Sequence, residues 1–288
     1  MAATVGKTFL RIVLGQELAR LREQAGLTLA QAAKDAGCAT STVHNVESGT
    51  SGFRRIEQLA ALLGAYRLNK TDRAMLMDWH RQAKGEDWWT TSVAHLPSGM
   101  NLYLAMESGA NAAEWWCYGV INGLLQTQEY AHELILSAKA AHDTTDAFIE
   151  QAVDVRIKRQ RRITEEGMKL TCIMDEAALT NMVGSSGLMR RQLQALIEFT
   201  ELPNVIILII PRRAPTYRAI GGDFGIFSFD PAQRLEPAVA SATVDGTTRV
   251  SSKERQAKQF QRRFEVLTQG ALPRYDTVKF LEQLAKEV

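Results

Sequence analysis

Short helix-forming stretches separated by glycines open the chain, and this pattern constrains the fold more than any other feature. Leu14, Leu18 and Leu21 recur at helical spacing, and Gly26 follows them as a helix stop. Residues 10–84 continue in this way and predict a compact all-helical domain. The predicted segments are Leu14–Ala25, a Thr28-capped helix closed by Gly37, Thr40–Ser48 before Gly49, Arg54–Leu63 broken by Gly64, and Thr71–Ala83.

A polar, turn-rich stretch at 85–99 predicts a linker, and the pattern changes after it. Helical and strand-like segments alternate over 100–288, which predicts a larger mixed α+β domain. The strand-like segments are Glu114–Tyr118, Lys169–Met174, Asn204–Ile210, Phe224–Phe229 and Ala238–Val244. The helical segments lie at 100–109, 127–141, 145–166, 186–201, 252–269 and 275–287.

Local signals refine this prediction for the second domain. The apolar run Val205–Ile210 predicts a central strand that is covered on both faces. Thr127 is suited to cap the helix that follows it, and Asp175 is suited to start a short helix at the end of a strand.

The second and third helices of the first domain have the form of a helix-turn-helix. Val43 and Val46 face inward, and Gly37 supplies the unusual backbone of the turn. The opposite face of the third helix carries side chains able to contact base edges, namely Thr40, Ser41, His44 and Asn45. Candidate phosphate contacts are Thr28, Arg54 and Arg55. The alternative is a helical bundle that uses this fold for protein contacts only.

The segment LGQELARLREQAGLTLAQAAKDAGCATSTVHNVESG resembles the XRE family of Cro and lambda-repressor type regulators. The matching positions are Leu14, Leu18, Leu21, Arg22, Gly26, Leu27, Ala33, Gly37, Ser41, Val43, Val46, Glu47 and Gly49. The resemblance implies that base-reading residues lie at 40, 41, 44 and 45. Leu29 and Ala39 depart from the family pattern, so we expect DNA affinity to depend on the arginines and on homodimerisation.

The remaining chain resembles the domain of WhiJ-like regulators, also described as Scr-type antitoxin-like regulators. The segments that carry this resemblance are LYLAMESGA, GLLQTQEYAHEL, VRIKRQRRIT, LTCIMDEAALTNMVGSSGLMRRQLQAL, TELPNVIILIIP and GGDFGIFSFD. The resemblance implies a regulator that binds a very short protein encoded beside it. It implies no catalytic activity.

The net charge of only +2 seems low for a protein that binds nucleic acid. Residues 1–81 contain 11 Lys and Arg against 7 Asp and Glu, and the rest contains 23 against 25. The first domain is therefore modestly basic and the second slightly acidic. This distribution is compatible with a sequence-specific binder that contacts few phosphates.

Two clusters in the second domain have both a functional and a structural interpretation. The tryptophans Trp88, Trp89, Trp115 and Trp116 could line a ligand pocket or a partner groove, although core packing is favoured. The basic run Arg156, Lys158, Arg159, Arg161 and Arg162 could contact DNA or an acidic partner, although a solvated helix face is favoured.

The sequence has no phosphate-binding loop, nucleophile elbow or paired metal-ligand motif, so we expect no cofactor, no metal and no enzyme activity. The three isolated cysteines and the lack of a leader or long apolar run predict a cytoplasmic protein without a membrane partner. Three functions remain open: a homodimeric transcriptional regulator that binds a double-stranded DNA operator, an antitoxin-like protein that binds a small neighbour-encoded partner, and a repressor that responds to a small-molecule effector.

Overall fold

A computed structural model describes residues 5–93, 98–137, 139, 145–214, 221–243 and 247–288. Within them the chain divides into two compact units, with the division between Trp88 and Trp89. The first unit consists of the residues up to Trp88 together with Asp230–Leu235, and the second of Trp89–Phe229 and Glu236–Val288. The segment predicted as a linker includes a short helix at Thr90–Val93.

The first unit is helical, as the glycine-separated pattern predicts. Its helices are α1 (Lys7–Gln24), α2 (Leu29–Ala36), α3 (Thr40–Glu47), α4 (Ile56–Ala65) and α5 (Lys70–Gln82). Gly26, Gly37 and Gly49 have φ angles of +69°, +61° and +72°, a conformation that suits glycine and ends each of the first three helices.

Gly64 is an exception, because the predicted helix break at this position is wrong. The residue lies inside α4, which continues to Ala65. The chain leaves α4 through Arg67, which has a φ of +54°. A single glycine weakens a helix by only about 1 kcal/mol, and the packing of Leu59, Leu62 and Leu63 in the core outweighs that cost.

The second unit contains nine further helices among its described residues and a six-stranded sheet. The helices are α6 (Thr90–Val93), α7 (Met100–Gly109), α8 (Gln128–Ser137), α9 (Asp146–Arg159), α10 (Arg161–Thr164), α11 (Glu176–Thr180), α12 (Ser186–Thr200), α13 (Glu254–Gly270) and α14 (Arg274–Glu287). The strands are β1 (Ala112–Cys117), β2 (Lys169–Asp175), β3 (Val205–Ile210), β4 (Phe224–Ser228), β5 (Ala238–Ala242) and β6 (Thr248–Ser251). The mixed α+β prediction is therefore confirmed.

The predicted strands all form, with β6 in addition. The chain from Thr248 to Ser251 is short and largely polar, so it carries no apolar alternation from which a strand could be predicted. The last position of the predicted strand Ala238–Val244 lies outside the described residues. The predicted helix starts are confirmed: the Tyr130 N–H donates to Thr127 Oγ1 at 3.2 Å, and the Ala177 N–H donates to Asp175 Oδ1 at 2.7 Å.

The strand order is β3-β2-β1-β4-β5-β6, so β3 is an edge strand and its predicted central position is wrong. Helices α12, α13 and α14 pack against β3. The Leu272 N–H donates to the Ile209 carbonyl at 2.8 Å, and Arg274 donates to the Val205 carbonyl at 3.3 Å. Because this edge is covered by protein, β3 has the continuous apolar sequence of a central strand.

The sheet is parallel on one side and antiparallel on the other. Strands β1, β2 and β3 run parallel, whereas β4 pairs antiparallel with β1. The carboxyl end of β1 therefore lies at the same edge as the start of β4. One sheet face packs against α13 through a core of Trp116, Ile173, Ile210, Phe224, Ile226, Phe264 and Leu267. Among the described residues, no helix is long and apolar enough to cross a membrane.

Candidate nucleic-acid interface

Helix α3 presents one buried face and one exposed face. Val43 and Val46 are 0% and 2% exposed and belong to the core of the first unit. The residues predicted to read bases are all exposed on the other side of the helix: Thr40, Ser41, His44 and Asn45. The structure therefore places these four side chains on one solvent-facing surface, which we call the α3 face.

Contacts from α1 fix the position of α3. Arg22 donates to both carboxylate oxygens of Glu47, Nε at 2.8 Å and Nη2 at 3.0 Å. The Arg22 Nη1 also donates to the Leu27 carbonyl at 3.0 Å. This bidentate ion pair is largely shielded from water, so it constrains the orientation of α3 relative to α1 more than an exposed pair would.

A close approach of the two backbones adds to this constraint. A Cβ atom at Gly15 would collide with the Val46 carbonyl and lie 2.7 Å from the Glu47 oxygen. Only glycine fits here without a shift of α3. Gly15 is a functional position beyond those predicted from the sequence, and a glycine inside an apolar helical pattern is the signal for such a contact.

Thr28 caps the start of α2, as predicted. The Gln31 N–H donates to Thr28 Oγ1 at 3.3 Å, and the Thr28 N–H donates to Gln31 Oε1 at 2.9 Å. This capping box starts α2 but occupies the Thr28 hydroxyl, which is also close to Gln31 Oε1. Ala39 gives α3 no side-chain cap. The N–H groups of the first turn of α3 are left to other acceptors.

The two predicted phosphate-binding arginines precede α4. Arg54 and Arg55 are exposed, and the Arg55 N–H donates to Gln58 Oε1 at 3.4 Å. Neither guanidinium has an ion-pair partner among the described residues. The structure thus leaves both charges available at the start of α4.

Two family models match the chain, and the division between Trp88 and Trp89 lies in the gap between them. A helix-turn-helix domain model matches residues 13–76, which contain α2, α3 and the α3 face. A model described as "Domain of unknown function (DUF5753)" matches residues 100–283, well over half of the chain. The chain belongs to the DUF5753 family. No curated protein and no solved structure matches it.

The four tryptophans differ in exposure, and two of them, Trp115 and Trp116, belong to the DUF5753 domain. Trp88 is 49% exposed, whereas Trp89 is buried and donates from its indole nitrogen to Asn101 Oδ1 at 3.0 Å. Trp115 and Trp116 are successive residues of β1 and point to opposite faces of the sheet. The favoured interpretation as core packing is therefore confirmed for Trp89, Trp115 and Trp116, whereas strand alternation keeps Trp115 and Trp116 from lining one surface together.

The basic run of the DUF5753 domain is also more buried than predicted. Lys158 and Arg161 are exposed, but Arg159 and Arg162 are buried. Arg162 donates to the Ala110 carbonyl and to Glu166, and Arg159 pairs with Glu107. The favoured interpretation as a solvated helix face is wrong for these two residues, because each has an acceptor 52 positions earlier in the sequence, Glu107 for Arg159 and Ala110 for Arg162.

Proposed function

We propose that the protein is a sequence-specific transcriptional regulator that inserts α3 into the major groove of an operator. The observation that carries this proposal is the α3 face, an exposed set of hydroxyl, imidazole and amide side chains on a helix clamped by Arg22 and Glu47. Asn45 would contact adenine with both amide atoms, and hydroxyls would contact base edges or phosphates. The match to a helix-turn-helix domain supports this role, and no catalytic step is part of it.

The proposed active form is a homodimer that reads two half-sites. Regulators of this kind bind half-sites about 34 Å apart along one face of the duplex. The first 81 residues carry a net charge of only +4, so one copy contacts few phosphates and two copies give the required affinity. The proposed location is the cytoplasm.

Selection from a random duplex library, followed by gel shifts at fixed salt, tests the DNA-binding proposal. Asn45→Ala should cost about 1–3 kcal/mol and relax the preference at one base pair of each half-site. Gln24→Ala removes an exposed amide at the end of α1 and is the matched control. Failure to select any sequence, or equal effects of the two variants, would contradict the proposal.

Arg55→Ala should weaken binding to all sequences alike, because phosphate contacts carry no base preference. Lys70→Ala removes an exposed cation at the start of α5 and should leave the affinity unchanged. If Arg55→Ala changes the selected sequence, Arg55 reads bases and its assigned role is wrong.

For the DUF5753 domain, the resemblance to antitoxin-like regulators supports a second role, which is binding of a small neighbour-encoded protein. Co-expression of the full chain with the short reading frame beside it tests this role. A complex that survives gel filtration supports it, and separate elution of the two proteins counts against it.

A further inference from the structure

The DUF5753 domain contains a cavity of about 230 Å³ at the carboxyl end of β1. We call it the β1 cavity, and its lining includes Tyr103, Trp115, Ile121, Gln126, Arg156 and Asp223. It lies where β1 ends and the antiparallel β4 begins. Open α/β sheets commonly bind ligands outside the carboxyl ends of their parallel strands, next to a change in strand order.

Arg156 is the unusual charge of the β1 cavity. Its Nη1 donates to the neutral Gln126 Oε1 at 2.7 Å, and no carboxylate within the described residues forms an ion pair with it. Burial, followed by the charge of Arg159, lowers the pKa of Arg156 to about 10. A partly buried guanidinium without a counter-charge is unfavourable in the free protein, so an anion in the cavity would stabilise it.

The neighbouring Arg159 shows that this lack of a partner is specific to Arg156. Arg159 lies one turn away on α9 and donates to both carboxylate oxygens of Glu107 at 2.7 Å. It also donates to the Tyr103 hydroxyl at 2.6 Å. Glu107 is therefore already neutralised by Arg159. Arg156 is left as the cation that can bind an incoming anion.

A carboxylate in the lining of the β1 cavity, Asp223, limits the charge of the ligand. Asp223 accepts a hydrogen bond from the Tyr118 N–H at 2.7 Å, and burial raises the pKa of its carboxyl group. A second anionic group on the ligand would meet this carboxylate and be repelled. A ligand with one negative charge and a neutral remainder can pair with Arg156 and avoids this repulsion.

The remaining walls are largely apolar and aromatic. Trp115 and Tyr103 have ring centroids 6.0 Å apart, and the ring of Trp115 lies so close to Gly225 that a Cβ there would collide with it. The buried indole nitrogen of Trp115 has no hydrogen-bond partner among the described residues. Drug-sized ligands usually occupy cavities of roughly 300–1,000 Å³, so this one suits a smaller molecule.

We propose that the β1 cavity binds a small organic molecule with a single carboxylate, held by Arg156. This inference goes beyond the proposed DNA binding and does not depend on it, because binding to the cavity is measured without DNA.

Calorimetric titration and thermal unfolding of the full chain test the proposal with benzoate as the probe and benzamide as its neutral analogue, at constant ionic strength in chloride. Benzoate should bind saturably and raise the unfolding temperature, whereas benzamide should not. Terephthalate, with its second carboxylate, should bind more weakly than benzoate. Asp223→Asn should reduce that difference, which a purely steric effect would not do.

Arg156→Met should weaken benzoate binding about 10- to 100-fold, because it removes a charged hydrogen bond. Arg156→Lys keeps the charge, so it should retain part of the binding and show that the cavity is intact. Lys158→Met removes an exposed cation of the same helix and should bind benzoate as the unmodified chain does. No benzoate binding, equal binding of benzoate and benzamide, or full binding by Arg156→Met would each overturn the proposal.

Discussion

Some charged residues of this chain are buried, although the residues next to them in the sequence do not predict it. Arg159 and Glu107 are 52 positions apart, and their side chains are 8% and 2% exposed. The run VRIKRQRRIT shows five cations in seven residues, but it contains no information about which acceptors approach from other elements. Burial of Arg159 therefore could not be predicted, whereas the exposure of Asn45 followed from its spacing to Val43 and Val46.

Arg159→Met should destabilise the DUF5753 domain by about 3–5 kcal/mol, because it leaves the Glu107 carboxylate buried without its partner. Urea denaturation followed by tryptophan fluorescence measures the effect, since Trp115 and Trp116 lie in the same domain. Arg161→Met breaks an exposed pair with Glu165 and should change stability by no more than about 1 kcal/mol. Similar losses of stability in the two variants would show that the buried Arg159–Glu107 pair contributes no more than the exposed Arg161–Glu165 pair.

His80 should make the first unit less stable in acid. Its side chain is buried, and its Nε2 atom has no hydrogen-bond partner among the described residues. Burial, followed by the charge of Lys84, lowers the pKa of His80 from its usual 6.5. The unfolded chain therefore binds the proton more readily than the folded chain. The contribution of neutral His80 to the stability of the first unit is present in full above pH 6.5. It is lost as the pH falls toward the lower pKa of His80 in the folded chain.

His80→Leu should consequently show a smaller loss of stability between pH 7.5 and pH 5 than the unmodified chain. Thermal unfolding of both proteins across this interval provides the comparison. If the stability of the two proteins falls equally between pH 7.5 and pH 5, protonation of His80 does not contribute to the loss of stability in acid.

At the level of elements, the sequence predicted which segments form helices and strands better than it predicted their surroundings. The glycines and capping residues act locally, so both ends of α2 and the end of α3 follow from them. The edge of β3 is covered by Leu272 and Arg274, which are more than 60 residues away in the sequence. The apolar sequence of β3 indicates that the strand is buried, but it does not indicate the position of β3 in the strand order.

Two glycine-to-alanine variants test the close contact between α1 and α3. Gly15→Ala would place a Cβ against the Val46 and Glu47 carbonyls, force α3 away from α1 and should cost about 1–3 kcal/mol. It should also weaken DNA binding, because the α3 face moves with the helix. Gly64→Ala meets no atom within 4 Å in α4 and should stabilise the unit by up to about 1 kcal/mol. Chemical denaturation and gel shifts measure both variants, and a neutral Gly15→Ala would contradict the close packing.

At the scale of the whole molecule, the charge distribution separates the two units by role. The net charge of +2 combines a basic helical unit with a slightly acidic remainder. Several cations of the DUF5753 domain are engaged by its own acceptors, as Arg159 is by Glu107 and Arg162 by Glu166. The charges available to DNA are accordingly concentrated near α3 and α4, where Arg54 and Arg55 have no ion-pair partner among the described residues.

This distribution predicts a shallow salt dependence of operator binding. If Arg54 and Arg55 of two protomers neutralise about four phosphates, the slope of log K against log salt should be about −3.6. Affinity would then fall about 150-fold between 50 and 200 mM KCl. Because each Arg55→Ala dimer loses two contacts, its slope should be shallower by about 1.8, whereas Lys70→Ala should keep the original slope. A slope steeper than about −7 would show that further cations contact DNA, and the division of roles between the two units would then be wrong.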